Sequence, residues 1–365
     1  MNSGLSQDEL AKKLDVHRPT ISQIESGKRA LDTVELVALS RILKQPLSFF
    51  VEPNPDRPTA EDELNILYRA DDISENDKPV IDDFIRLCKD YAEIEKYSGI
   101  EKDTPFPLWK KPVRTKPQAI QDGEKAAISL RKLLDLGTSP VKDLSSILEN
   151  YGIKVFFRSL QSSKAWGFSV SSKELGHCIF VNTACVRSRQ LFTLAHELGH
   201  IYMDQKHSVT MFSEHDSPNS VRQYGNTNLL EVRANVFAAA FLIPEDELGE
   251  LLDNVQYTDK KYITPHIIRY LCGYFGVSYP AMVYRLHNLD YFGKGIREEL
   301  LKNPIRVSSD HSELQPASLP ERYITLALEA YRSMKISIGK LADYLRTDLY
   351  NARRLVKDLG IRQAE

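Results

Sequence analysis

Arg189-Gln190-Leu191-Phe192-Thr193-Leu194-Ala195-His196-Glu197-Leu198-Gly199-His200-Ile201 decides the reading of this 365-residue chain. The stretch from Arg189 to Met203 is apolar and free of proline, so it reads as a helix. Residues four apart share a helix face. His196 and His200 therefore point at one place, where two imidazoles can hold a zinc ion. Glu197 follows the first of them and is placed to take a proton from a water beside that ion. Composition alone yields such an HExxH pattern in roughly 1 chain in 60 of this length. The competing reading is a helix with two unrelated surface histidines. Leu191, Phe192, Leu194, Leu198 and Ile201 argue against it, because they bury the helix and its polar groups then need partners.

Zinc needs a third protein ligand and an open position. Glu231 is the candidate, a lone carboxylate at the head of Leu229-Leu230-Glu231-Val232-Arg233-Ala234-Asn235-Val236-Phe237, an apolar helix that Pro244 ends. A solvated helix-start glutamate is the alternative for it. Asn235, one turn on, suits a hydrogen bond to a ligand histidine. His207, His215 and Asp216 are rival ligands in or near a polar loop. His215, Tyr224 and Arg233 are candidates for stabilising an oxyanion.

The block Arg189–His200, with Glu231–Ala238 and Leu242-Ile243-Pro244, resembles the ImmA/IrrE family of zinc metallopeptidases. The resemblance runs from about Ala119 to about Pro244 and includes a strand ending Ile179–Asn182. It implies that His196, His200 and Glu231 hold Zn2+ and that Glu197 is the general base. It implies that Ile179–Asn182 lines the cleft and pairs with substrate backbone. It further implies a protein substrate, a helix-turn-helix repressor, cut to switch on stress-response or mobile-element genes.

A second pattern opens the chain. In Leu5-Ser6-Gln7-Asp8-Glu9-Leu10-Ala11, Ser6 and Glu9 form a capping box. Ala11 is small enough for a close helix crossing, Asp15-Val16-His17 makes a turn, and Gly27 suits a helix end. Over about residues 5–50 this resembles the XRE-type helix-turn-helix of phage repressors. The family's helix before Leu5 is missing, with Met1–Gly4 in its place. The resemblance implies that Gln7, Arg18, Thr20, Ser22 and Gln23 face DNA and that Lys28 and Arg29 hold phosphates. Residues 1–50 hold seven basic against six acidic side chains, so the affinity expected is modest and salt-sensitive.

The organisation expected is a helix-turn-helix domain over 1–50, a linker and helical connector over 51–118, a zincin-like domain over 119–250 and a helical region over 251–365. Proline-rich stretches at 52–59 and 103–117 mark the breaks. Exposure of these stretches would make them sites of self-cleavage. Ile153–Phe157, Ala165–Val170 and Cys178–Val181 read as a small sheet, and Thr210–Asn228 as a polar loop. The fold class is thus α+β, mostly helical. Tyr331–Lys357 and Ile267–Leu286 also carry a helix–turn–helix rhythm, the former suited to packing, to a homodimer contact or to DNA.

With 42% hydrophobic and 27% charged residues the composition is globular. A formal charge of −2 excludes a uniformly basic surface, and no apolar run is long enough to span a membrane. Met1–Asp8 has no signal-peptide pattern, and the four cysteines form no CxxC pair. A cytoplasmic location follows as an expectation. The alternative function is a non-cleaving regulator or antitoxin that uses its zincin domain to sense or hold a partner.

Overall fold

The computed structural model describes residues 7–14, 16–25, 29, 35, 38–39, 42, 73–99, 106–107, 109, 112–161, 164–172, 174–204, 209–213, 229–254, 263–302, 304 and 319–361. The chain divides into two compact units, Met1–Thr59 and Ala60–Glu365. The expected linker at 52–59 and the acidic stretch 61–69 lie outside the described residues.

In the first unit α1 spans Gln7–Leu14 and α2 spans Arg18–Glu25. The Val16 amide donates to the Ala11 carbonyl (3.0 Å), which closes the turn between them. Ala11 and Ile21 are buried, as a helix crossing at a small residue requires.

In the second unit α3 is Lys78–Tyr97, α4 is Lys116–Leu133 and α5 is Leu144–Asn150. Strands β1 (Lys154–Arg158), β2 (Ala165–Ser172) and β3 (Gly176–Asn182) lead into α6 (Arg187–Met203). Then come β4 (Val209–Ser213), α7 (Leu229–Leu242), α8 (Glu245–Asn254), α9 (Pro265–Phe275), α10 (Tyr279–Asn288) and α11 (Lys294–Lys302). The last helices are α12 (Glu321–Arg332), α13 (Ile338–Tyr344) and α14 (Leu349–Asp358). The architecture is α+β and mostly helical. No helix among the described residues is long and apolar enough to cross a membrane.

The sheet order is β1-β3-β2-β4, with β1 parallel to β3 and the other pairs antiparallel. Two expectations are corrected here. The start of the expected polar loop, Thr210–Ser213, belongs to the edge strand β4 rather than to a loop. Ile179–Asn182 is not open to a substrate strand, because β3 is bonded to β1 on one side and β2 on the other. Its backbone donors and acceptors are already used by its neighbours.

Side chains alternate along the strands and so feed two cores. Val155, Ile179 and Val181 join α4, α5, α6 and α7. Phe156, Phe168, Val170, Cys178 and Phe180 join α3 and the C-terminal helices. Phe84 of α3 stands edge-on to Phe156, Phe168 and Phe180, with centroids 5.2–5.5 Å away. Each such pair contributes about 0.5–1.5 kcal/mol beyond area burial. On the same face, buried Lys154 reaches Glu95 (2.8 Å), which also takes Arg322 (2.7 Å), tying β1, α3 and α12 together.

Helix α7 is apolar all round because it is enclosed all round. It packs on α4, whose buried residues include the small Ala119, Gly123, Ala126 and Ala127. A Cβ on Gly123 would stand 2.7 Å from the Arg233 carbonyl oxygen, so glycine sets the spacing. Arg131 of α4 donates to the Phe241 carbonyl (2.6 Å) and Arg285 to that of Ile243 (3.0 Å), which satisfies the end of α7. Of the described residues in the 103–117 connector, Pro107, Pro112, Arg114, Thr115, Lys116 and Pro117 are exposed, as expected, and Phe106 is the anchor that ties it down. Phe106 is buried, its ring edge-on to Tyr202 of α6 at 5.9 Å.

Candidate metal centre

The helical register of α6 sets His196 and His200 on one face, and packing of α7 across α6 brings up Glu231. Gly199 permits the crossing, since a Cβ there would stand 2.8 Å from the Phe237 ring. His196 Nε2 lies 3.1 Å from Glu231 Oε2 and 3.0 Å from His200 Nε2. His200 Nε2 lies 3.4 Å from Glu231 Oε1. All three residues are buried. Ligands bonded to zinc at about 2.0–2.1 Å in a tetrahedron stand roughly 3.3 Å from one another. Two imidazole nitrogens and a carboxylate oxygen at 3.0–3.4 Å therefore fit one face of such a tetrahedron, and the donor set suits zinc.

The surroundings orient these donors. His200 Nδ1 donates to Asp204 Oδ2 (2.8 Å), which turns Nε2 toward the site. Asp204 in turn accepts from the Arg233 guanidinium. Glu197 is wholly buried beside the site, and Ser169 of β2 donates to its Oε2 at 2.7 Å. Burial works to raise the Glu231 carboxyl, but the His200 charge and hydrogen bonds from both imidazoles hold it far below the usual carboxylate range. Burial likewise works to lower His200, yet the Glu231 charge and the Asp204 hydrogen bond lift it well above an ordinary histidine.

Residues 148–287 match the IrrE N-terminal-like domain, a peptidase family, and residues 1–50 match a helix-turn-helix family. The chain is a fusion of these two domains. No curated protein matches it. The IrrE-like match runs from the C-terminal half of α5 into α10, so it takes in the sheet, α6 and α7 with their histidines and glutamate.

Within the IrrE-like domain, then, His196, His200 and Glu231 come together, and Glu197 is buried next to His196 in the chain. Asn235 lies one turn along α7 from Glu231 and is half-buried. Arg233 does not face the donor side of the site as an oxyanion partner. It is buried against Asp204, behind the His200 ring. His207, His215, Asp216 and Tyr224 lie outside the described residues. Sequence reasoning missed Asp204 and Ser169. Asp204 was legible, since it stands four residues after His200 and so on the same face. Ser169 carried no such signal, because only strand pairing sets it opposite Glu197.

In the helix-turn-helix domain Gln7 opens α1, and Arg18, Thr20, Ser22 and Gln23 lie on α2. Arg18 is exposed and Thr20 half-buried. Arg29 is paired with Glu35 (2.9 Å), a carboxylate with which a phosphate would have to compete. Lys28 and the side chains of Gln7, Ser22 and Gln23 lie outside the described residues.

Proposed function

We propose that the chain is a zinc-dependent endopeptidase fused to a DNA-binding domain, acting on a helix-turn-helix repressor in the cytoplasm. The observation that carries this reading is the convergence of His196, His200 and Glu231 with a buried Glu197 alongside. In this reading His196, His200 and Glu231 hold the ion. Zinc, when bound, lowers the pKa of water towards ~7 and polarises a carbonyl oxygen. Glu197 takes the proton from the attacking water and passes it to the leaving amine. Ser169 donates to Glu197 Oε2 and so orients the carboxylate for this transfer. Asp204, braced by Arg233, keeps His200 in the ligating tautomer.

The substrate backbone then pairs with β4 rather than β3. On its far side β4 meets no further strand among the described residues, and Thr210 is in register with Ser169. An extended peptide added to that edge lies one strand removed from β2, whose Ser169 holds the base. The N-terminal domain brings the enzyme to DNA, where repressors reside.

The test offers the purified chain to helix-turn-helix repressors, among them its own Glu197→Gln form added in trans. Wild type with zinc is expected to release defined fragments, and Glu197→Gln and chelated wild type none. Identical fragments from Glu197→Gln, or a wild type that holds no zinc, would overturn the reading.

A further inference from the structure

The C-terminal helices carry a second helix-turn-helix, remote in sequence from the first. Ser337 caps α13, its hydroxyl accepting from the Lys340 amide (3.1 Å). The turn Leu345–Asp348 follows, with Arg346 in the left-handed region (φ 54°). Asp348 then caps α14, accepting from the Asn351 amide (2.8 Å). Helices joined by three or four residues cross steeply, and a small residue is needed where they meet. Ala342 of α13 and Ala352 of α14 fill that place, at 5% and 0% exposure. Leu341, Tyr344 and Val356 complete the small core, which rests on α3 and α12.

The geometry leaves one flank of α14 bare. Leu349, Tyr350, Arg353, Arg354 and Lys357 are all exposed, and their spacing of one, four, five and eight residues places them on one side. Basic residues on the inward side are neutralised. Lys340 meets Glu93 (3.3 Å) and Arg346 meets Asp90 (3.0 Å). On the bare flank Arg354 reaches Asp358 at 3.6 Å, while Arg353 and Lys357 have no ion pair among the described residues. A chain of net charge −2 thus keeps a local surplus of cations on one exposed helix.

We propose that α14 is a recognition helix, and that residues 319–361 form a second duplex-DNA-binding surface of this chain. The flank reaches into the major groove with Tyr350 and Arg353 near its entering end, and Arg354 and Lys357 hold phosphates. An anionic duplex suits this flank better than an apolar protein partner, because three of its five exposed side chains are cations. The inference is independent of the metal centre.

The test measures binding of the full chain to a fluorescent random-sequence duplex across a salt series. The charge-reversed Arg353→Glu/Arg354→Glu/Lys357→Glu protein is compared with wild type, in the native background and with Arg18→Glu. Each lost phosphate contact lowers the salt slope by about 0.9. The triple variant is expected to bind at least about tenfold more weakly, with a slope smaller by two to three. Lys294→Glu/Lys302→Glu, on exposed α11 positions, controls for negative charge added away from this flank. The milder Arg354→Ala/Lys357→Ala guards against misfolding and is expected to lower the slope by about two. An unchanged affinity and slope in both backgrounds would overturn the proposal and point to a protein-docking face. An equal loss in the α11 control would overturn it too.

Discussion

Three donors define the metal site, and they differ in what their loss does. His196→Ala or Glu231→Ala leaves two ligands where zinc needs three from the protein, so each variant is expected to purify without stoichiometric metal. Elemental analysis reads this directly, and a variant that kept one zinc per chain would remove that residue from the ligand set. Glu197→Gln keeps the ligands and loses the proton acceptor. It is expected to bind zinc normally and cut about 10²–10⁴-fold more slowly. Asp204→Ala touches no donor atom, yet it frees the His200 ring and strands the Arg233 charge. Zinc affinity is expected to fall about 10–100-fold, measured by competition with a chromophoric chelator. Unaltered affinity would reduce Asp204 to a helix cap.

Glu231 reaches the histidines only because α7 lies very close to both α4 and α6. Gly123→Ala would press a methyl group against the Arg233 carbonyl oxygen, a backbone atom that cannot rotate away. The expected cost is about 1–3 kcal/mol, read as a lower unfolding temperature, with weaker zinc binding as α7 is pushed off. Stability equal to wild type would show that α7 can slide without harm. This spacing also explains which parts of the fold were legible in the sequence. The α6 ligands were, because helical periodicity alone sets their direction. The place of β3 was not, because a strand's residues do not state which neighbours it pairs with. Cys178–Val181 is apolar in every residue, the mark of a strand buried on both faces, but that does not reveal paired edges. β4 is only five residues long and runs into the polar stretch that follows it, and so read as loop. The glycines of α4 and α6 carry meaning only once the partner helix is known.

The two cores on either side of the sheet are joined at its rim by groups that titrate. Glu149, at the end of α5, accepts the Arg322 amide of α12 (3.3 Å) and so links the metal-bearing half to the C-terminal helices. Burial pushes its carboxyl up to about 7, against the opposing pull of that hydrogen bond and the Arg322 charge. In the unfolded chain it titrates near its ordinary 4.5. Between these values the native state holds a proton that the unfolded state has lost, so stability falls as pH rises through the window. His177 works in the opposite sense. Burial, helped by Lys154, lowers it to about 4 from 6.5, so stability rises with pH between those values. The two windows overlap, and a wild-type profile alone would mix them. Glu149→Gln separates them, because its amide oxygen can still accept from Arg322 while its charge no longer changes. The unfolding temperature of Glu149→Gln relative to wild type is therefore expected to climb from about pH 4.5 to about pH 7 and then level off, the His177 contribution cancelling in the difference. A difference that stays flat across this range would show that Glu149 titrates as an ordinary surface carboxylate and does not join the two halves through a buried, protonated contact.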